Sequence, residues 1–452
     1  MKIIIVGGGK VGRSLTELLS EEGHNITVIE TDKKMVEALV NDYDVIGLCG
    51  NGGSFSVMDE AGVKDADIFI SVTGSDEFNI MSCLVAGKLG AKRTVARVRN
   101  PEYSAQVSFM RNKLGLNLVI NPELEVANEI ARFIEFPSAM NIETFAKGRI
   151  ELAEIVVSED SILCGTKLMD LRKKMDVPIL VCAVQRGENV IIPSGSFVIE
   201  AGDRVHFSAP HKALAKTFKV LGFSKKKIKS VLIVGGSRTA YYLAKRLDHA
   251  GIDIKIIEKD HEKAQKLEET LDNVTVICGD GTDHELLSAE RIADFDATVA
   301  LTSIDEENLI LSMYAETQGI EKNVSKVNSL ALIKMLSDKI GNANTVNPKT
   351  VTARTILRYV RAVSNANGSE MRTLYQIIDG KAEAMEFIAS ESCKLNQIAL
   401  KNLKLKPNII IACVSRQNTV IIPDGNTEIN SGDSVIVITA GQRIVDLNDI
   451  LA

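Results

Sequence analysis

Three glycines near the start of the chain have the spacing of a phosphate-binding turn. Gly7, Gly9 and Gly12 follow a short apolar run, and a helical pattern over Ser14–Glu21 comes next. Glycines at such a turn let the backbone approach a pyrophosphate, whose charge is met by amides at the helix N-terminus. The same spacing can serve close packing alone, so the triplet needs support from the rest of the sequence.

That support comes from an acidic residue at the end of the second predicted strand. Glu30 follows the glycines by about 20 residues, where a carboxylate can accept hydrogen bonds from ribose hydroxyls. The same carboxylate would repel a 2′-phosphate, which favours NAD or an adenine nucleotide over NADP. Strand, glycines, helix and acid together predict a nucleotide site.

Two further positions fit a ligand at the carboxyl ends of parallel strands, where open α/β sheets bind. Thr73 and Gly74 end the fourth predicted strand, and Arg97 ends the fifth, where it can hold phosphates by charge-assisted hydrogen bonds. Two alternatives stay open: Thr73 caps a helix that begins near Asp76, and Arg97 forms a surface ion pair.

The chain repeats itself at an offset of about 230 residues, which indicates duplicated domains and not a solenoid. The matched segments keep their order: Ile3–Gly12 with Val231–Ala240, Thr27–Asp32 with Lys255–Asp260, Leu48–Gly53 with Ile277–Thr282, Ser71–Asn79 with Ala300–Asn308, and Asn121–Glu123 with Asn347–Lys349. The second copy has Gly235, Ser237 and Ala240 at the three glycine positions; it keeps Glu258 and has Lys326 in place of Arg97. We expect it to bind with lower affinity or to take a different nucleotide; a purely structural role is the alternative.

Each copy divides into an alternating β/α segment and a smaller β-rich segment. The alternation predicts a parallel sheet covered on both faces, so the fold class is α/β: two Rossmann-like doubly wound domains, each followed by a small β-rich α+β lobe. The first copy's predicted strands are Lys2–Val6, Ile26–Glu30, Val45–Leu48, Ile68–Val72, Thr94–Val98 and Leu118–Ile120. The predicted domains are residues 1–136, 137–222, 228–364 and 366–452, with a lysine-rich linker at Ser224–Lys229.

A helix is predicted to begin at Asn121-Pro122-Glu123, with an N-cap, a proline at the first position and an acid in the first turn. Its apolar residues fall on one side at helical spacing: Leu124, Ala127, Ile130, Ala131 and Ile134. This stripe is expected to dock on its own sheet or to pair with a second subunit.

Composition excludes several classes of function. The 452 residues carry a net charge of −6, which gives no support to nucleic-acid binding, and no apolar run reaches the length of a membrane span. The first residues do not have the pattern of a signal peptide. The seven cysteines form no C-x-x-C pair and the six histidines form no cluster, so we expect no metal site.

The tandem arrangement, the segments SVTGSDEFN and ARVRNPEY (Ala96–Tyr103), and the Ile-Ile-Pro and Gly-Asp turns of the β-rich segments resemble one known family. This is the TrkA family, the regulatory subunits of Trk-type potassium-uptake systems, with tandem RCK (regulator of potassium conductance) domains. The resemblance covers essentially the whole chain. One departure is Asn51, where the family commonly has an acid, as the second copy does at Asp280.

The resemblance implies that certain residues contact NAD(H), ADP or ATP. They are Gly7, Gly8, Gly9, Lys10, Val11, Gly12, Glu30, Asn51, Thr73, Gly74 and Arg97 in the first copy, and Gly235, Gly236, Ser237, Arg238, Thr239, Glu258 and Asp280 in the second. It also implies a function: a cytoplasmic, non-enzymatic, tetrameric ring on the inner face of the cell membrane, gating an integral membrane potassium channel. The alternatives are an NAD-dependent oxidoreductase and a regulator of a potassium antiporter.

Overall fold

The structure, a computed structural model, describes most of the 452 residues. The described ranges are 1–104, 106–135, 141–146, 149–175, 177–221, 228–320, 322–336, 344–364, 370–378, 380–417 and 419–452.

Residues 2–135 form a six-stranded parallel sheet with helices on both faces, in the strand order β3-β2-β1-β4-β5-β6. The strands are β1 Lys2–Val6, β2 Asn25–Glu30, β3 Ile46–Cys49, β4 Ile68–Ser71, β5 Thr94–Arg97 and β6 Leu118–Ile120. The helices are α1 Lys10–Glu21, α2 Lys33–Asp42, α3 Phe55–Glu60, α4 Asp76–Leu89, α5 Pro101–Ser104, α6 Val107–Asn112 and α7 Pro122–Glu135. All six predicted strands are confirmed to within one residue at each end.

The first lobe follows α7 and is an antiparallel sheet in the order β10-β9-β11-β8-β7. Its elements are β7 Asn141–Phe145, β8 Ile150–Val156, α8 Leu168–Lys174, β9 Leu180–Arg186, β10 Asn189–Ile191, β11 Arg204–Pro210 and α9 His211–Val220.

The second parallel sheet repeats the order of the first, as β14-β13-β12-β15-β16-β17. Its strands are β12 Ser230–Val234, β13 Asp253–Glu258, β14 Val274–Cys278, β15 Ala297–Ala300, β16 Lys322–Lys326 and β17 Asn344–Val346. Its helices are α10 Arg238–His249, α11 His261–Thr270, α12 His284–Ala289, α13 Asp305–Thr317, α14 Leu330–Leu336 and α15 Pro348–Ser364.

The second lobe repeats the antiparallel topology of the first, in the order β18-β19-β22-β20-β21. Its strands are β18 Glu370–Ile377, β19 Ala382–Ile388, β20 Ile409–Arg416, β21 Thr419–Ile421 and β22 Ser434–Ala440. The predicted fold class, two doubly wound domains and two β-rich lobes, is confirmed.

In each lobe the repeated arginine forms an ion pair with the buried aspartate of the Gly-Asp turn. Arg186 donates through Nε and a terminal nitrogen to the two oxygens of Asp203, each at 2.8 Å, and Asp203 is 1% exposed. Arg416 and Asp433 make the same bidentate contact in the second lobe. The turn is therefore held by a fork of charge-assisted hydrogen bonds, which explains why both residues recur.

The described residues separate into two compact units. One contains residues 1–134 and 228–357, which hold the two parallel sheets; the other contains 135–227 and 358–452, which hold the two lobes. The predicted four-domain division stays a prediction, and most of the linker, residues 224–227, lies outside the described residues, as do the predicted boundaries at 136, 137, 222 and 366.

Helix α7 docks on the second parallel sheet, which differs from both expected outcomes. Val126, Ala127, Ile130, Ala131 and Ile134 belong to one hydrophobic core with the second domain, and each is at most 1% exposed. Their partners are in β12, α10 and β13, and include Val231, Ile233, Leu243 and Ile256. Leu124, predicted in the stripe, is only partly buried, and Val126 takes its place. The two parallel-sheet domains therefore share a core within one chain.

His206 on β11 generates a prediction about stability and pH. Burial, and then the charge of Arg204, lowers the pKa of His206 to about 3, against about 6.5 for an exposed histidine. Between pH 3 and pH 6.5, therefore, His206 is protonated in the unfolded chain and neutral in the folded lobe. Stability from this group is complete above about pH 6.5 and is lost as the pH falls toward 3, by about 2 kcal/mol at pH 5.

Replacement by the residue at the matched position of the second lobe provides the control. His206→Ile copies Ile436 and removes the titrating group. Urea unfolding at pH 7.5 and pH 5 should show that the variant loses about 2 kcal/mol less than the wild-type chain on acidification. Equal losses in the two proteins would show that His206 is not responsible.

Candidate nucleotide-binding clefts

The first parallel sheet carries a cavity of about 660 Å³ at the carboxyl ends of its strands. Nine of the eleven predicted first-copy residues line it: Gly7, Gly9, Lys10, Val11, Glu30, Asn51, Thr73, Gly74 and Arg97. Gly8 and Gly12 do not line it. Phe78, Gly50 and Gly52 also line this cavity, and the prediction did not include them.

The glycine turn is built from close backbone contacts. Gly7 has a φ of +103°, a conformation that side chains disfavour. A Cβ at Gly12 would lie 1.8 Å from the carbonyl oxygen of Gly7, so a side chain there would force the turn apart. Helix α1 begins at Lys10 with Gly9 as N-cap, four residues earlier than predicted, which brings its first amides to the cavity. Gly12 is therefore needed for close packing against Gly7, whereas Gly9 leaves open space in front of the first amides of α1.

Glu30 braces the turn that it was predicted to complement. Its carboxylate accepts hydrogen bonds from the amides of Gly8 (2.7 Å), Thr31 (2.6 Å) and Asp32 (3.2 Å). Burial alone would raise the pKa of Glu30, but these hydrogen bonds outweigh burial and lower it. The side chain is thus held ionised at the edge of the cavity, and the amide of Gly8 is satisfied by it.

Asn79 fixes the ends of two strands, and sequence reasoning missed it. Its side-chain oxygen accepts from Ser71 Oγ and from the amide and hydroxyl of Thr73, at 2.7–2.9 Å. Its amide nitrogen donates to the carbonyl oxygens of Thr73 (3.2 Å) and Arg97 (2.9 Å). Asn79 is fully buried. The carboxyl ends of β4 and β5 are therefore positioned by a single amide.

Asp76 holds the loop that follows β5 in the same manner. Its carboxylate accepts from the backbone amides of Arg99 (2.8 Å) and Asn100 (2.7 Å). The second copy repeats both devices, with Asp305 on the amides of Asn328 and Ser329, and with Asn308 on Thr302 and Lys326. Recurrence of D-x-x-N in both copies was the sequence signal that could have revealed these residues.

The two alternatives for Thr73 and Arg97 are wrong. Ser75, and not Thr73, caps α4, since its hydroxyl accepts from the amide of Phe78. Within the described part of the chain, Arg97 makes no ion pair; one terminal nitrogen donates to the carbonyl oxygen of Thr73 at 3.3 Å, and its Nε is buried without a hydrogen-bond partner. Burial, and then repulsion from Arg99, lowers the pKa of Arg97. A partly desolvated guanidinium therefore borders the cavity.

The second parallel sheet carries a larger cavity, of about 1050 Å³, in the matched place. Six of the seven predicted second-copy residues line it: Gly235, Gly236, Ser237, Arg238, Glu258 and Asp280. Thr239 is buried and does not. Lys326 lines it and donates to the carbonyl oxygen of Leu301 (3.2 Å), as Arg97 does to that of Thr73. Burial lowers the pKa of Lys326 as well.

Asn51 and Asp280 perform the same local task in the two copies. Asn51 Oδ1 accepts from the amide of Gly53 at 2.9 Å, and Asp280 Oδ1 accepts from the amide of Thr282 at 3.0 Å. Asp280 differs by its charge, which pairs with Lys259 Nζ at 2.6 Å. That contact lowers the pKa of Asp280. The departure at position 51 thus preserves the turn and removes a charge from the first cleft.

The first domain contributes to the second cleft. Asn100, Pro101 and Glu102, at the start of α5, line the second cavity. Nearby, Tyr242 on α10 accepts a hydrogen bond from the side chain of Asn121 (2.8 Å) and donates to the carbonyl oxygen of Arg99 (3.3 Å). The second cleft is therefore composite, and the helix that follows its glycine turn is tied to the loop beside the first cleft.

Among the residues that the structure describes, no group of three or more histidine, cysteine or acidic side chains is arranged to hold a metal ion. No described helix has the length and apolar character that crossing a membrane requires.

A parallel sheet with a glycine turn, an acid on the second strand and a β-rich lobe, present twice, is the architecture of a tandem Rossmann-like protein with two candidate nucleotide clefts. The family model of the TrkA-N domain matches residues 3–122 and 231–348, and that of the TrkA-C domain matches residues 152–222 and 384–452. The chain therefore belongs to the TrkA family, and the predicted resemblance is confirmed.

Full-length relatives agree with this assignment. The chain is 32% identical to the Trk system potassium uptake protein TrkA homolog of Archaeoglobus fulgidus over 450 residues, which is 100% of both chains. It is 34% identical to the Trk system potassium uptake protein TrkA of Halomonas elongata over 450 residues, 98% of this chain and 96% of the relative.

Solved structures share the fold. The RCK domain of GsuK superposes with a TM-score of 0.62 at 16% identity, covering 97% of this chain and 92% of that one. The GsuK channel bound to NAD gives a TM-score of 0.63 at 16% identity, covering 97% of this chain and 77% of that one.

The amide clamp of Asn79 generates a prediction. Asn79→Ala leaves several buried polar groups of β4 and β5 without partners, each costing about 1–3 kcal/mol when unsatisfied. We expect the first domain to lose about 2–4 kcal/mol of unfolding free energy and its amides at residues 71–74 and 97–100 to exchange faster with deuterium.

Asn308→Ala is the matched control, because it removes the same clamp from the second domain. It should leave exchange at residues 71–74 unchanged and accelerate it at the matched residues 300–303. Unaltered exchange at residues 71–74 in Asn79→Ala would refute the role assigned to this side chain.

Proposed function

We propose that the chain is a nucleotide-sensing regulatory subunit of a Trk-type potassium-uptake system. NAD(H), ADP or ATP binds the two clefts without being chemically changed. The resulting change of shape is passed to an integral membrane potassium channel on its cytoplasmic face. The observation that carries this proposal is that both clefts belong to one compact unit in which the two parallel-sheet domains share a core.

The phosphate groups of such a ligand would find three complementary features in the first cleft. The N-terminus of α1 presents free amides beyond Gly9. Arg97 has an unpartnered Nε and is partly desolvated, so an anionic ligand would relieve the cost of its burial. Glu30, ionised at the cavity edge, is suited to ribose hydroxyls. These three features support nucleotide binding, and binding through them requires no catalytic residue.

Two contacts would carry the effect of binding between the domains. The charge of Glu123, at the start of α7, partly offsets the burial that lowers the pKa of Arg97 and of Lys326. Tyr242 joins α10 to Arg99 and Asn121. A ligand that draws Arg97 toward its phosphates weakens the attraction of Arg97 for Glu123 and so biases the packing of α7. Allosteric coupling of this kind requires that ligands bind the two arrangements unequally.

Binding to each cleft can be tested separately. Gly9→Glu has open space for its Cβ and places a carboxylate where phosphates would lie, and Ser237→Glu does the same in the second cleft. We expect Gly9→Glu to abolish NADH and ATP binding at the first cleft by calorimetry. Arg97→Ala should weaken it about tenfold or more, since a charge-assisted hydrogen bond contributes about 1.5–3 kcal/mol.

Gly9→Ser, which installs the residue of the second copy, is the control and should retain binding. Absence of binding in the wild-type chain, or binding indifferent to Gly9→Glu, Ser237→Glu and Arg97→Ala, would refute the proposal. Oxidation of NADH with any substrate would favour the oxidoreductase alternative. Co-purification with an antiporter instead of a channel subunit would favour the second alternative, a regulator of a potassium antiporter.

Assembly into a homotetrameric ring is part of the proposal, and two matched apolar positions support it. Met81 on α4 and Ile310 on α13 are 61% and 65% exposed at corresponding places of the two domains. Exposed apolar side chains that recur in this way are suited to subunit contacts. We expect light scattering to give the mass of a tetramer for the wild-type chain and a smaller mass for Met81→Glu/Ile310→Glu. A monomeric wild-type chain would contradict the ring.

A further inference from the structure

Helix α15 begins at the carboxyl edge of the second parallel sheet with a cation in its first turn. Asn347 fastens this turn, because its side chain accepts from the amides of Lys349 (3.0 Å) and Thr350 (3.1 Å) and donates to the carbonyl oxygen of Val327 (2.9 Å), which follows β16. The first turn of α15 contains no acidic residue. Lys349 is therefore held at the edge of the sheet where ligands of this fold bind.

The matched position of the first domain has the opposite charge. Glu123 lies in the first turn of α7, where the partial positive charge of a helix N-terminus stabilises a carboxylate. The same partial charge disfavours a cation, so Lys349 is unfavourable for its own helix. The two residues thus occupy one place in the duplicated fold with opposite signs, and only Glu123 suits its local structure.

Lys349 faces the first cleft. Its side chain is partly buried, and burial, and then the charge of Lys10, lowers the pKa of Lys349. Lys10 is the first residue of α1 and lines the first cavity. The two ammonium groups therefore lie close enough to repel each other across the junction of the two parallel-sheet domains.

No carboxylate neutralises this pair of lysines. Within the part of the chain that the structure describes, neither Lys10 nor Lys349 has an ion pair or a side-chain hydrogen bond. Asp305, whose charge raises the pKa of Lys349, already accepts from two backbone amides of the loop after β16, both at 2.8 Å. Glu30 accepts from three backbone amides beside the glycine turn. Two cations without carboxylate partners, one of them partly desolvated, are suited to an anion.

A terminal phosphate is the group of a nucleotide that would reach this place. A pyrophosphate at the glycine turn puts the adenosine ribose beside Glu30 on β2. The opposite end of the ligand then lies toward β4 and β5, which are on the other side of β1, and toward the start of α1. A terminal phosphate carries a charge of about −1.5 to −2 at pH 7. A dinucleotide has a ribose without charge in the same place.

We propose that Lys349 of the second domain, together with Lys10 of the first, binds the terminal phosphate of a nucleoside di- or triphosphate held in the first cleft. Such a ligand bridges the two parallel-sheet domains and removes the repulsion between the two ammonium groups. A dinucleotide of the NAD(H) type binds without forming this bridge. The inference rests on the proposed function, since it assumes that the first glycine turn binds a nucleotide.

Calorimetry on the full chain, with the second cleft blocked by Ser237→Glu, tests this role of Lys349. The probes are ATP and ADP-ribose without divalent cations; both contain adenosine pyrophosphate, which ends in a third phosphate or in a ribose. We expect Lys349→Gln to weaken ATP binding about tenfold or more, the equivalent of one charge-assisted hydrogen bond, and to change ADP-ribose binding by less than about threefold. Unchanged ATP binding, or an equal loss for both ligands, would overturn the proposal.

A conservative variant in the same background shows whether the charge is what binds. Lys349→Arg keeps the cation and should retain more of the ATP affinity than Lys349→Gln does. Equal losses in these two variants would count against a phosphate contact.

Thermal unfolding of the unliganded chain separates binding from folding. Lys349→Gln removes a cation that the helix N-terminus and Lys10 both repel, so the melting temperature should stay the same or rise. A fall of several degrees, together with weaker ATP binding, would assign Lys349 a structural role and refute the proposal.

Failure of this inference can be told apart from failure of the proposed function. If the Ser237→Glu chain binds ATP and ADP-ribose and is indifferent to Lys349→Gln, the inference is wrong and the proposed function stands. If that chain binds neither ligand, the first cleft is not a nucleotide site and the inference is also wrong. The proposed function then stands only if the Gly9→Glu chain binds NADH or ATP at the second cleft.

Discussion

The apolar face of α7 is buried on the second parallel sheet, although α7 follows the last strand of the first. Val126, Ala127, Ile130, Ala131 and Ile134 are removed from water there, and fully burying a side chain of Val or Ile size stabilises by about 1.5–3 kcal/mol. Separation of the two domains would expose this face. The composite wall of the second cleft and the contact of Tyr242 with Arg99 both depend on this packing.

The duplicated domains keep their scaffold and differ at the cleft walls. The acid that braces the glycine turn, the aspartate that holds the loop after the fifth strand, and the buried amide clamp are the same in both copies. The residues that face the cavities have diverged, with Arg97 replaced by Lys326 and the Arg13–Asp42 bridge replaced by Tyr241 and Thr270. Strand ends that are held identically can present different chemistry, which is how one duplicated fold can provide two different sites.

Both clefts place a cation at the end of the fifth strand of the sheet, at some cost. Burial lowers the pKa of Arg97 and of Lys326, and each donates to a backbone carbonyl oxygen of the neighbouring strand end. A cation in this state has lost part of its hydration without gaining a close carboxylate. An anionic ligand would restore part of the stabilisation that burial removed from the cation, so the position of the cation would favour the binding of such a ligand.

The sequence alone determined the parallel sheets, the glycine turn and the placement of Glu30, Thr73 and Arg97 at one edge. It could do so because strand and helix periods, and the requirement for glycine at close backbone contacts, are local properties of the chain. The resemblance carried by ARVRNPEY and the tandem arrangement assigned the family. Local pattern was insufficient for α7, since a helical stripe shows which residues are buried and not which surface covers them.

Tertiary structure decided the features that depend on distant partners. Asn79 reads as an ordinary polar residue within a helix, and only the meeting of β4, β5 and α4 makes it a clamp. Asn100–Glu102 belong to the second cleft because α7 draws the two domains together. Tyr241 and Thr270 line the second cavity at the positions where Arg13 and Asp42 form an ion pair in the first domain. In each case the function of a residue depends on contacts between elements far apart in the chain, which the sequence does not contain as a pattern.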